Sequence, residues 1–132
     1  AQLTDILDRV TRSRTGTKAE KAAADAASVA EKIAELQGDE RTLAEGVHRL
    51  VMEAAPELAP KTWYGMPAYY RDGKVLCFFQ PGSKFKARYS TLGFDESAAL
   101  DDGDMWPTAF ALTTLTPAVE ARITELVRRA AA

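Results

Sequence analysis

Cysteine and histidine are the scarcest reactive residues in this chain, with Cys77 and His48 occurring once each among 132 residues. One cysteine excludes a disulfide within the chain and cannot by itself form a metal cluster. His48 has no second imidazole to pair with, and Cys77 is expected on a different element, so these two residues do not form a metal or nucleophilic site. We therefore predict no catalytic residue, no metal ligand and no enzymatic activity. We interpret His48 as a packed residue on the flank of a helix and Cys77 as an inert buried thiol.

Long hydrophobic runs and a strong net charge are also missing. No apolar stretch approaches the roughly 20 residues that a membrane helix needs, and we expect no signal segment because the opening residues lack the pattern of one. The formal net charge of −2 gives no overall attraction to nucleic acid or to an anionic membrane. We expect a cytoplasmic protein, in keeping with its single thiol, with neither of those partners.

The first half of the chain has the pattern of helices, within a length typical of one compact domain. A capping box at Thr17 and Glu20 opens an alanine-rich helix to about residue 36, and Asp39 caps a second helix to about residue 55. Before them, a short helix and the connector TRSRTGT are expected. The arginines of this connector are either solvated or contact phosphate. We assign residues 1–38 to an N-terminal helical extension and residues 39–132 to an α+β domain.

In the second half, turn-forming residues separate short segments with strand character, which is typical of a β-meander. A first strand is expected over residues 61–71, interrupted at Gly65-Met66-Pro67 because proline disrupts a strand interior. Asp72-Gly73 is a strong hairpin signal, and the apolar run after it predicts a central strand from Lys74 to Gln80. Further strands are predicted over 83–92 and 108–115. A closing helix follows the cap Thr116-Pro117.

The predicted third strand alternates between an aromatic side and a basic row, Lys84, Lys86 and Arg88. Phe78, Phe79 and Phe85 fit the core, and a charge row is usually a solvated face. However, aromatic walls beside fixed cations would also suit an anionic or planar small molecule. The candidate ligand-binding residues are Trp63, Tyr64, Met66, Pro67, Tyr69, Lys84, Lys86 and Tyr89.

An acidic loop over residues 95–104 follows this strand and contains no positive residue. Its Asp-Asp-Gly-Asp run lacks the closing glutamate of a twelve-residue calcium loop. Two interpretations stay open, a weak site for a hard cation and a solvent-exposed loop that balances the basic row.

The segment APELAPKTWYGMPAYYRDGKV resembles the YdhG-like family of small bacterial domains of unknown function. The resemblance rests on Ala54-Ala55-Pro56, on Tyr64 to Tyr69 and on Gly73-Lys74, and it extends over roughly residues 39–132. It implies a two-layer α+β fold in which helices pack on one side of a curved antiparallel sheet of four to five strands. Some members are described as frataxin-like iron chaperones, so ferrous iron is implied by the resemblance alone.

These observations support two hypotheses about function. The first is a non-enzymatic protein that handles a small ligand or a metal ion, using an aromatic and basic pocket on the sheet. The alternative is a protein-interaction module in which the alanine-rich helix forms a docking surface or a homodimer interface.

Overall fold

The structure is a computed structural model that describes the backbone of residues 2–132 and the side chains of residues 17–132. Within these residues the chain forms three α-helices and five β-strands. The helices are α1 (Gln2–Glu35), α2 (Gly38–Ala54) and α3 (Pro117–Ala130). The strands are β1 (Ala59–Trp63), β2 (Met66–Arg71), β3 (Lys74–Gln80), β4 (Ser90–Phe94) and β5 (Ala109–Leu112).

The strands form one antiparallel sheet in the order in which they follow one another in the chain, from β1 to β5. The sheet is not closed into a barrel, because β1 and β5 are its two edges. The α+β class with an antiparallel sheet is therefore confirmed. The central position of β3, which its continuous apolar run predicted, is confirmed as well.

One face of the sheet packs against the helices and supplies the main core. A bulge at Tyr69 and Tyr70 leaves Leu76 without a partner on β2, so Leu76 and Cys77 both join this core. The sheet contributes Tyr69, Leu76, Cys77, Phe79, Leu92, Phe94 and Leu112. The helices contribute Val29, Ile33, Leu43, Val47, Val51, Ile123 and Val127, among others. The C-terminal half of α1 is thus part of the core.

Two helix predictions have different outcomes. The start of α3 is confirmed, because Thr116 caps it by accepting a hydrogen bond from the backbone N–H of Val119, and Pro117 is its first residue. The predicted connector over residues 11–17 is wrong, because α1 runs from Gln2 to Glu35 without a break. The side chains of Arg12 and Arg14, and any contact with phosphate, lie outside the described residues.

Three strand predictions need correction. The expected first strand is two strands, β1 and β2, joined at Tyr64 and Gly65. The expected third strand over residues 83–92 is wrong in its first half, where Ser83–Phe85 form a turn of 3-10 helix and Lys86 has left-handed backbone. The last strand, β5, is shorter than predicted.

Candidate functional site

The candidate site lies at the end of the sheet where the β1–β2 turn meets the loop of residues 81–89. Ala68 pairs with Phe78, and the antiparallel register therefore brings the start of β2 beside the end of β3. Across this end, the ammonium group of Lys84 donates a hydrogen bond to the backbone carbonyl of Tyr64. A cation is thereby attached to the turn that carries the aromatic run TWYG.

The β1–β2 turn displays an aromatic ring at a cost in backbone energy. Tyr64 and Gly65 both have positive φ, +50° and +73°, as a two-residue type I′ hairpin requires. Glycine adopts this conformation freely, whereas a residue with a Cβ pays roughly 1–2 kcal/mol for it. The Tyr64 side chain nevertheless remains 79% exposed. Burial of this ring therefore does not explain why tyrosine stands in the turn.

Behind Tyr64, rings cover the sheet face that points away from the helical core. We call this the aromatic face and define it by Trp63, Met66, Ala68, Phe78 and Gly93, which the strand register places on one side. The Trp63 ring centroid lies 4.9 Å from that of Tyr64 and 5.2 Å from that of Phe78. Trp63 and Phe78 are half-buried, while Met66 and Ala68 beside them are buried. The two rings form a floor that solvent partly reaches.

The floor depends on one glycine. A Cβ at Gly93 would lie 2.2 Å from Cζ of the Phe78 ring, so Phe78 lies directly over the β4 backbone. Any residue larger than glycine at position 93 would therefore clash with the Phe78 ring.

The loop of residues 81–89 is fixed by contacts at both of its ends, and these position Lys84. Near its start, the Ser83 backbone N–H and hydroxyl both donate to the Glu40 carboxylate in the first turn of α2, at 2.9 and 2.5 Å. At its end, the Gly82 N–H donates to the Ser90 hydroxyl at 3.0 Å, and the Ala87 N–H donates to the Gly82 carbonyl at 2.9 Å. Such a closed loop presents a side chain with little loss of entropy on binding.

Within this loop, Lys84 and Phe85 lie together at the surface. The Lys84 ammonium is 5.8 Å from the centroid of the Phe85 ring, which is 52% exposed. We call Tyr64, Lys84 and Phe85 the rim of the aromatic face. The rim thus combines one cation with two exposed rings.

The three cations of the predicted basic row do not share a strand face, which corrects the interpretation made from their alternation. Lys86 is exposed on left-handed backbone, with φ of +54°. Arg88 lies over the Tyr89 ring, 5.2 Å from its centroid. Tyr89 itself lines a cleft beside Asp39 and Glu40 at the start of α2.

Three further candidate residues are buried. Met66 lies on the aromatic face at 5% exposure, under the floor. Pro67 and Tyr69 alternate with it and face the helices, where both are fully buried. The structure therefore brings together Trp63, Tyr64 and Lys84 from the candidate set, and separates them from Tyr69 and Tyr89.

Tyr69 has a partner of its own in the helical layer. Its hydroxyl oxygen lies 2.9 Å from Nδ1 of His48, and the two ring centroids are 5.6 Å apart. Burial raises the pKa of the Tyr69 hydroxyl above its usual value and lowers the pKa of the His48 imidazole. Both shifts favour the neutral pair, which suits a structural hydrogen bond between sheet and helix.

Sequence reasoning missed two residues of the candidate site, Phe78 and Phe85, which it assigned to the core. The core assignment holds for Phe79, which is 1% exposed. Alternation within β3 gave the signal for Phe78, since it falls on the opposite face from Cys77 and Phe79. For Phe85 no pattern distinguished an exposed ring in a 3-10 turn from a buried ring in a strand.

The described residues hold neither a cluster of metal-ligating side chains nor a membrane-spanning helix. Residues 17–132 contain no group of three His, Cys, Asp or Glu side chains placed to hold a metal ion. None of the helices, as far as the structure describes them, combines the length and the apolar character needed to cross a bilayer. Comparisons of the chain with protein-family models, with curated proteins and with solved structures found no match.

Proposed function

We propose that this protein binds a small planar anion at the rim of the aromatic face and acts as a binding protein without a catalytic step. The observation that carries the proposal is the position of Lys84, whose ammonium group is held against the Tyr64 carbonyl beside exposed rings. An ammonium group has three donors, and the bond to Tyr64 uses one of them. Two donors therefore remain for an anionic ligand.

The rings supply the second part of the proposed recognition. Tyr64 and Phe85 are both exposed and both contact Lys84, and Trp63 lies in edge contact with Tyr64. A flat ligand could stack on these rings while its anionic group accepts from Lys84. Large exposed rings contribute little to folding, so their presence here supports a binding role.

The proposal is tested by nuclear magnetic resonance titration with 2-naphthalenesulfonate, a planar anion. We expect shifts of the Trp63 indole and of the backbone amides of residues 82–89. Lys84→Gln should weaken binding about tenfold, since a charge-assisted hydrogen bond contributes roughly 1.5–3 kcal/mol. Lys74→Gln is the matched control, because Lys74 is exposed at the opposite end of β2 and β3.

A neutral ligand, 2-naphthol, separates the role of charge from that of stacking. It should bind more weakly than the sulfonate to the wild type and about equally to the wild type and Lys84→Gln. Absence of shifts with the sulfonate, or equal sulfonate affinity in Lys84→Gln and wild type, would reject the assignment.

A second candidate function is an interaction module built on α1. The observation that favours it is the exposure of every side chain over residues 17–24, including four alanines. A small-residue surface permits close helix packing against a second chain. Light scattering over a wide concentration range tests this. A mass that stays at one chain, unchanged by Ala23→Glu, would exclude a homodimer through α1.

A further inference from the structure

We propose a second, separate binding site for a small zwitterion with an aromatic ring, such as an aromatic α-amino acid. It lies in a cleft of about 250 Å³ between α3 and the segment that leads into β5. Asp102, Trp106 and Phe110 form one side of this α3 cleft, and Arg122, Glu125 and Arg129 form the other. Its residues are distinct from the rim and floor of the aromatic face.

The helical side of the α3 cleft presents charges of both signs. Arg122, Glu125 and Arg129 are three and four residues apart, which places them on one face of α3. Asp102 adds a second carboxylate from across the cleft. Two guanidinium groups and two carboxylates therefore line one small cavity.

These four charged groups do not form ion pairs with one another. Over residues 17–132, no ion pair within 4 Å involves Arg122, Arg129, Asp102 or Glu125. The next acidic residue on α3, Glu120, does pair, accepting a hydrogen bond from Arg49 at 3.0 Å. The charges lining the α3 cleft therefore remain available to a ligand that carries both signs.

The opposite side of the α3 cleft is aromatic. Trp106 and Phe110 are half-buried, and Pro107 lies between them in sequence. The Arg122 guanidinium carbon lies 5.3 Å from the Phe110 ring centroid, a cation–π contact that leaves the N–H edges of the group free. Those edges match the two oxygens of a carboxylate.

The size and chemistry of the α3 cleft together define the ligand class. A carboxylate fits the guanidinium groups, an ammonium group fits Asp102 and Glu125, and a ring fits Trp106 and Pro107. The volume falls just below the usual range of about 300–1,000 Å³ for drug-sized ligands, which suits a molecule of roughly one amino acid. Typical affinity per atom then gives a Kd on the order of 1 mM.

The test is a titration of ¹⁵N-labelled protein with L-phenylalanine, benzoate and 2-phenylethylamine. L-phenylalanine should shift the Trp106 indole and the amides of Arg122 to Arg129, and it should leave the Trp63 indole unmoved. Benzoate carries only the anion and phenylethylamine only the cation, so each should bind about tenfold more weakly.

Substitutions then test which side chains bind the carboxylate and the ammonium group of phenylalanine. Arg129→Gln and Glu125→Gln should each weaken phenylalanine binding about fivefold or more. Arg128→Gln should leave it unchanged, because Arg128 is exposed on the same helix and does not line the α3 cleft. The proposal is overturned if phenylalanine shifts nothing at about ten times the expected Kd, or if benzoate binds as tightly. Full phenylalanine affinity in Arg129→Gln or Glu125→Gln also overturns it.

Discussion

The hydrogen bond between Tyr69 and His48 offers a sharp test of how the sheet is joined to α2. The Tyr69 side chain is 0% exposed, and His48 is the hydrogen-bond partner of its hydroxyl within the described residues. A buried hydroxyl hydrogen needs an acceptor, so we assign the His48 proton to Nε2 and the acceptor role to Nδ1. Replacement of His48 by leucine leaves the buried hydroxyl without that acceptor.

The expected magnitudes follow from which group is left unpaired. His48→Leu should lower the free energy of unfolding by about 1–3 kcal/mol, the cost of an unsatisfied buried polar group. Tyr69→Phe should cost about 1 kcal/mol, because half-buried His48 can be hydrated instead. In the double variant nothing polar is orphaned, so its loss should be smaller than the sum of the single losses by about 1 kcal/mol or more.

Urea unfolding followed by circular dichroism measures these values. With a denaturant slope of about 1–3 kcal/mol per molar urea, a loss of this size moves the midpoint by roughly 1 M. His48→Gln is the control, since its amide oxygen can still accept from Tyr69. If the two single losses of unfolding free energy add up to the loss of the double variant within about 0.5 kcal/mol, the hydrogen bond is not a stabilising link.

The same pair predicts a pH dependence. Burial lowers the pKa of His48 in the folded state below its ordinary value of about 6.5. Between these two pKa values the unfolded chain holds a proton that the folded protein does not, so the free energy of unfolding falls as the pH drops below about 6.5. The difference between wild type and His48→Leu should therefore shrink in acid, and a difference that grows there would contradict the sign of the shift.

Three further changes test the aromatic face and the core. Gly93→Ala should lower the free energy of unfolding by about 1–3 kcal/mol, because its Cβ would meet the Phe78 ring, and Phe78→Leu added to it should restore part of the loss in thermal melts. Unchanged melting of Gly93→Ala would show that the ring lies elsewhere. Tyr64→Asn should retain or gain stability in urea, since asparagine tolerates positive φ, while its affinity for 2-naphthalenesulfonate falls; a large stability loss would contradict this. Burial raises the pKa of Cys77 to about 12, so a thiol reagent near pH 8 should modify the folded protein about 100-fold or more slowly than the denatured chain, and rapid labelling would contradict that burial.

Several parts of the fold that local chemistry determines were predictable from the sequence. The caps expected at Thr17 and Asp39 were wrong, because α1 continues through Thr17 and α2 begins at Gly38 without a side-chain cap. Asp72 and Gly73 both have positive φ, as an Asp-Gly hairpin should, and β3 spans Lys74–Gln80 as its apolar run indicated. Thr116 and Pro117 start α3 for the same local reason. In each case a few adjacent residues carry the whole signal.

The remaining parts depend on contacts between distant residues. Tyr-Gly is an unusual pair for a two-residue hairpin, so the turn at Tyr64 was hidden inside an apparent strand. The alternation from Lys84 to Tyr89 mimics a strand, yet the bonds from Ser83 to Glu40, 43 residues earlier, hold that segment as a loop. The resemblance to the YdhG-like family stays a prediction.

The candidate site was predictable in kind and not in detail. A lysine from the basic row does meet the TWYG run, through the contact between Lys84 and Tyr64. The face that each aromatic residue of β2 occupies could not be deduced, because residues 66–70 are apolar or aromatic throughout and give no alternation. The helices and the bulge decide that Tyr69 is buried.

The residues of the floor and those of the rim of the aromatic face have different physical explanations. Trp63 and Phe78 cover buried Met66 and Ala68, so folding alone explains them. Tyr64 has left-handed backbone and leaves its ring in solvent, and stability alone would favour asparagine or glycine there. Phe85 is likewise exposed beside a lysine. We propose that a binding partner accounts for exposed rings that bury little, and we therefore expect the ligand to make its deciding contacts at the rim rather than at the floor.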